Sequence, residues 1–142
     1  MGTFHTNCTI ENPRQRRRSA QLSKLLVDTG SECTWVDTAT LENIGIHAEK
    51  KDETFVMANG GLVTRRVGFA VIRLDRYVTI DEVVFAEPGD LPLLGARTLE
   101  GLNLAVDPAR RRLLAAGPRP AASPVRPRDA ATARRRSRRK QS

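Results

Sequence analysis

The sequence predicts an all-β fold, a barrel or sandwich of short strands with one short helix in its C-terminal half. Three observations carry this. Apolar content rests on Val, Leu and Ile, since aromatic residues make up only 4% of the chain, and β-branched residues favour strands. Short alternating or fully apolar runs recur between turn signals. Helical spacing of apolar residues is confined to a few turns.

The elements follow in order. TFHTNCTIE (residues 3–11) alternates loosely and reads as a strand, interrupted by Pro13 and the charged turn Arg14 to Arg18. LSKLLV (22–27) is a second strand, fully apolar at its end, and CTWV (33–36) a short buried third. Thr38 to Ile44 can form one or two helical turns, capped by Asp37 or Thr38 and stopped by Gly45. ETFVMA (53–58) and LVTRRVGFAVIRL (62–74) flank Asn59-Gly60-Gly61, a strong hairpin signal. After a turn at Asp75-Arg76 come the strand YVTIDEVVFA (77–86) and a loop at Pro88-Gly89-Asp90. PLLG (92–95) is a short apolar strand ending in glycine. Ala96 to Leu102 then has helical spacing, and NLAVD (103–107) and RRLLA (111–115) close the domain around Pro108.

Charge separates two regions. Residues 1–116 hold 15 Lys and Arg against 15 Asp and Glu, whereas residues 117–142 hold 9 basic residues and one acid. The first reads as one neutral folded domain and the second as a disordered basic tail rich in Pro, Ala and Arg. The run ARRRSRRK (133–140) offers a nonspecific anionic partner a salt-sensitive contact, without aromatics for base stacking. A neutral body argues against a dedicated nucleic-acid barrel. The two cysteines, Cys8 and Cys33, are too few for a disulfide scaffold, and no apolar run approaches membrane-spanning length. The expectation is a cytoplasmic protein with reduced thiols and no membrane partner.

The motif that carries chemistry is Leu25-Leu26-Val27-Asp28-Thr29-Gly30-Ser31. An apolar strand end drives Asp28 inward, Gly30 permits a tight turn, and Thr29 and Ser31 offer hydroxyls to brace the loop. A carboxylate in such a place is costly unless paired or functional. The same residues also suit a plain Asx or ST turn in which Asp28 only caps the loop. A second apolar-apolar-Gly element, Leu93-Leu94-Gly95, follows far along the chain and strengthens the functional reading.

LLVDTGSECTWV, the hairpin FVMANGGLVTRRVG and LLGARTLEGLNLAVD occur in the order and spacing that resembles the retropepsin-like aspartic proteases, over residues 3–115. The resemblance implies an acid-protease β-barrel, closed or partly open. It implies a peptide or protein substrate, no cofactor and no metal. Asp28 would be the catalytic carboxylate, Thr29 would bond across a dimer axis, and Gly30 would contact the substrate backbone. Ser31 would hydrogen-bond the outer oxygen of Asp28. Ser31, Glu32 and Leu94 would line the substrate site, with Met57, Ala58, Asn59, Gly60 and Gly61 as the flap that closes over it. Aspartic peptidases of this kind use two carboxylates sharing one proton. The chain has a single Asp-Thr-Gly, so two copies would meet as an isologous homodimer.

One departure concerns the position after the strand-ending glycine, where retroviral members often carry Arg. Here Ala96 stands there and Arg97 follows, with Glu32 its possible partner but helical geometry pointing it elsewhere. The departure leaves a second reading open, a barrel that binds peptides or protein partners without cleaving them. Cys33 reads as a packed thiol, because His5 and His47 stand in no motif that supplies it a base. Trp35 reads as core or pocket wall. Cys8, Cys33, His5 and His47 lack metal-ligand spacing.

Overall fold

The computed structural model describes residues 4–122. Along them run β1 (Phe4–Glu11), β2 (Ser19–Val27), β3 (Thr34–Asp37), α1 (Thr38–Asn43), β4 (Lys50–Val56), β5 (Leu62–Leu74), β6 (Tyr77–Ala86), β7 (Leu93–Leu94), α2 (Ala96–Leu102), β8 (Leu104–Asp107) and β9 (Arg112–Ala115). The fold is mostly β, as the apolar pattern predicts. The helical turns expected after Asp37 are present as α1, and the Asp37 carboxylate caps it by accepting the Thr40 N–H at 3.3 Å.

Seven strands form one sheet in the order β1-β2-β7-β3-β6-β5-β4. Thr9 to Glu11 of β1 also pair with Val71 to Arg73 of β5, so the first six strands of that order close into a ring. β4 stays outside the ring, hydrogen-bonded only to β5, and projects with it as a long hairpin. The short β7 is the keystone of the ring. It runs parallel to β2 and antiparallel to β3. β8 and β9 form a separate two-stranded sheet beside α2.

Alternation along the strands sorts the apolar residues into two clusters. Val36, Val83, Phe85 and Leu94 face the main core with Ile10, Val27, Leu41, Ile72, Leu99 and Leu102. Their neighbours Trp35, Val84, Ala86 and Leu93 face the other way, where Val67 joins them and Phe55, Met57 and Val63 of the hairpin pack on top. β6 therefore ends in four consecutive buried residues, covered on both faces.

α2 packs closely on β6 at Gly101, where a Cβ would stand 2.4 Å from the Thr79 hydroxyl. The helix ends at Asn103, whose backbone is left-handed. The side-chain amide of Asn103 donates to the Gly117 carbonyl, and Arg119 donates to the carbonyls of Glu100 and Gly101. The first residues of the segment expected to be disordered thus lie against the C-terminal end of α2, where orphan carbonyls accept a cation. The rest of that basic tail lies outside the described residues.

No helix among the described residues is long and apolar enough to cross a membrane. Cys8 and Cys33 are both free. Burial pushes the Cys8 thiol up to about 11.

Candidate active site

β2 delivers Asp28 at the end of its apolar run, between the core residue Val27 and the exposed Thr29 and Gly30. The Asp28 carboxylate is half-buried and accepts the Gly30 N–H at 2.9 Å. Its backbone N–H donates to the Leu94 carbonyl at 3.0 Å, and its carbonyl accepts the Ser31 N–H at 3.2 Å. The loop is thus anchored on β7 and folded back on itself, while the carboxylate stays at the surface. A Cβ on Gly30 would stand 3.1 Å from the Asp28 oxygen. Glycine here keeps the approach to the carboxylate open.

The floor of the loop is a second set of contacts with the start of α2. Ala96 N–H donates to the Ser31 carbonyl at 2.8 Å and Arg97 N–H to the Glu32 carbonyl at 3.0 Å. Gly95 sits so close to β3 that a Cβ would lie 2.3 Å from the Cys33 carbonyl oxygen. Only glycine permits this approach.

Beneath lies a chain of buried hydroxyls. Gly95 N–H donates to Thr34 Oγ1 at 2.9 Å, Thr34 and Thr98 hydroxyls lie 2.6 Å apart, and Thr98 Oγ1 donates to Asp81 Oδ2 at 2.9 Å. Because the Asp81 carboxylate accepts, the Thr98 proton is committed to it, and the Thr34 hydroxyl must donate to Thr98. Thr34 and Thr98 are 1% and 0% exposed, so water cannot replace these bonds. This chain ties β3, β6 and α2 together under the Asp28 loop. Nothing in the sequence singled it out. A buried Thr on the apolar face of α2 was its only local signal.

Arg97 does not brace Glu32 through its side chain. It reaches Glu82 on β6 at 3.3 Å, where Lys50 also pairs with Glu82. The Lys50 hydrogen bond, opposed by partial burial and helped by Arg97, holds the Glu82 carboxyl below its ordinary range. Arg97 also lies beside Cys33, whose thiol burial pushes up while Arg97 draws it down. Cys33 packs at the edge of the second apolar cluster, next to Trp35.

The structure places the other expected residues unequally. The Ser31 hydroxyl donates to the Cys33 carbonyl at 2.9 Å rather than to Asp28, which accepts the Gly30 N–H. Glu32 is exposed at the mouth of the loop. Leu94, expected to touch substrate, is 0% exposed in the main core and contributes its backbone carbonyl to Asp28. Alternation turns Leu93 instead of Leu94 toward the hairpin. The hairpin tip is a tight turn. Met57 N–H donates to the Gly61 carbonyl, Gly60 N–H to the Met57 carbonyl, and Gly61 N–H to the Asn59 side chain. Gly60 takes φ +85°, which glycine adopts freely. Ala58, Asn59, Gly60 and Gly61 are all exposed, whereas Met57 is half-buried on the inner face.

Among the described residues, no three His, Cys, Asp or Glu side chains converge into a set that could hold a metal ion.

No curated protein matches the chain. Residues 21–98, more than half of its 142, match the family described as aspartyl protease. That span runs from β2 through the Asp28 loop and the β4–β5 hairpin to the start of α2. The chain belongs to this family, one of the retropepsin-like kind.

Proposed function

We propose that the protein is an aspartic endopeptidase that acts as a homodimer, with one Asp28 from each copy. The observation that carries this is the single Asp-Thr-Gly loop, rigidly held from below yet open to solvent at Asp28, Thr29 and Gly30. One carboxylate is half of the machinery. A second copy brought up to the exposed Thr29 and Gly30 supplies the other half about a two-fold axis.

Two close carboxylates cannot both ionise comfortably, so the pair shares one proton and titrates as a unit. The ionised member takes a proton from a water between them, and the water oxygen attacks the scissile carbonyl carbon. The protonated member gives its proton to the carbonyl oxygen. Collapse of the tetrahedral intermediate breaks the C–N bond as the carboxyl that took the water proton gives it to the amine nitrogen, and the other carboxylate recovers a proton from a hydroxyl of the intermediate. The β4–β5 hairpin acts as the flap, with its tip closing over an extended peptide and excluding water.

The test is cleavage of an unbiased peptide mixture at several pH values by the wild type and by Asp28→Asn, read by mass spectrometry. Loss of a hundredfold or more in the folded variant is the expected result, in line with roughly 10²–10⁴ for a lost acid–base group. Equal cleavage by both proteins contradicts the assignment. No cleavage by either, with peptide binding retained, favours the silent peptide-binding barrel.

A further inference from the structure

We propose that Arg65 and Asp90 form a latch that holds the β4–β5 hairpin down beside the Asp28 loop, making Arg65 a positioning residue for the flap. The role in hydrolysis rests on the protease reading; the latch itself does not.

Arg65 lies between Val63 and Val67, on the hairpin face that packs against Trp35. A guanidinium on that apolar face is costly unless paired. Its partner is Asp90, in the loop between β6 and β7. Nε and Nη2 of Arg65 meet Oδ2 and Oδ1 of Asp90 at 2.6 and 2.9 Å. The two side chains are 15% and 9% exposed. Paired bonds of this kind fix orientation as well as distance. Glu87 adds a looser contact at 3.6 Å. Asp90 also accepts the Glu87 N–H at 2.9 Å, so the same carboxylate closes its own turn. From Asp90 the chain passes Leu91 and Pro92 into β7, whose Leu94 carbonyl holds the Asp28 N–H. One ion pair therefore connects the hairpin to the strand that positions the catalytic loop.

The hairpin has few other attachments toward its tip. Lys50 with Glu82, and Arg66 with Glu42, tie it nearer its base, Arg65 standing one residue closer to the tip than Arg66. On the outward side Val56 and Leu62, paired across the two strands, are 73% and 68% exposed. Toward the body, among the described residues only Phe55, Met57 and Val63 of the hairpin's outer part add apolar contact, including an edge-on meeting of Phe55 with Trp35 at 5.2 Å. A hairpin held by this small cluster and one fork of hydrogen bonds can lift as a unit and return to the same place.

Trp35 is the only tryptophan in the chain and sits under the hairpin, so it reports hairpin position without any substrate. The experiment measures acrylamide quenching of Trp35 and peptide-cleavage kinetics in the full chain. It compares wild type, Arg65→Lys, Asp90→Asn and the double variant, each checked for folding by far-ultraviolet circular dichroism. These near-isosteric changes remove the fork while keeping bulk. The expected result is easier quenching in both single variants and no further rise in the double variant, since one interaction is lost in all three. KM is expected to rise by up to roughly tenfold, as for a charge-assisted hydrogen-bond pair, with kcat nearly unchanged. Unchanged quenching in the folded single variants, or single effects that add in the double, overturns the latch. The expected quenching pattern without cleavage by any protein, wild type included, supports the latch and counts against the protease reading instead.

Discussion

The ground beneath Asp28 and the hairpin beyond it are built on opposite plans. Beneath Asp28, β2, β3, β7 and α2 meet through backbone bonds, a glycine with no room for a Cβ, and buried hydroxyls without access to water. The hairpin is a two-stranded projection with an exposed outer face, a small apolar cluster and one partly buried ion pair. The contrast teaches a division of labour. On the proposed function, the group that must hold its place to a fraction of an ångström would sit on the closed ring, and the group that must move would sit outside it.

The largest effect should come from Gly95→Ala. Its Cβ would meet the backbone of Cys33, which cannot rotate away, so the variant should lose about 3 kcal/mol or fail to fold. A denaturant midpoint within error of the wild type would show that the ground beneath Asp28 yields more than its contacts suggest. Thr98→Val comes next. It removes the donor to Asp81 and leaves the buried Thr34 hydroxyl without its acceptor, a loss of about 2 kcal/mol. The fall should be global, visible as a lower melting temperature.

Phe55→Ala tests the other side of the comparison. It should speed amide exchange from Phe55 to Leu62 and shift global stability by only about 1 kcal/mol, the scale of one aromatic pair. Equal loss of protection in β2 and β7 would erase the distinction between the two regions. The smallest effect is that of acid. Glu11, Glu82 and Asp90 all titrate below their ordinary range, chiefly through hydrogen bonds from Arg16, Lys50 and Arg65 respectively. Each contributes stability that is complete above the unfolded-state value, near 4, and is lost as pH falls through the lower folded value. The melting temperature should hold from neutral pH to about 5 and decline below about 4. Asp90→Asn should make that decline shallower. The slope is modest because these pairs are partly solvated.

Much of the fold was legible because it is written in apolar period. β5 and β6 were expected at 62–74 and 77–86, where they lie, because apolar alternation and turn residues bound them. β2 and β4 begin three residues before their expected starts, at Ser19 and Lys50. Their first residues are mostly polar and exposed, so no apolar pattern marks them. At the site, Asp28 and its glycine were legible as a local motif. The Thr34–Thr98–Asp81 chain was not, because its members lie 64 and 17 positions apart and only the fold brings them together. Leu94, expected at the substrate site, is instead buried in the main core, and a two-residue strand carries too little alternation for sequence to show which of Leu93 and Leu94 faces inward. Arg65 reads in sequence as an ordinary charge in a strand, and its inward face appears only with the register.

The most direct test of the account mixes wild type with the folded Asp28→Asn variant at fixed total concentration and lets chains exchange before cleavage is measured. If each active unit needs Asp28 from two copies, activity falls with the square of the wild-type fraction, to about a quarter in an equal mixture. A linear fall, to about a half, would mean that one chain suffices and would contradict the shared pair.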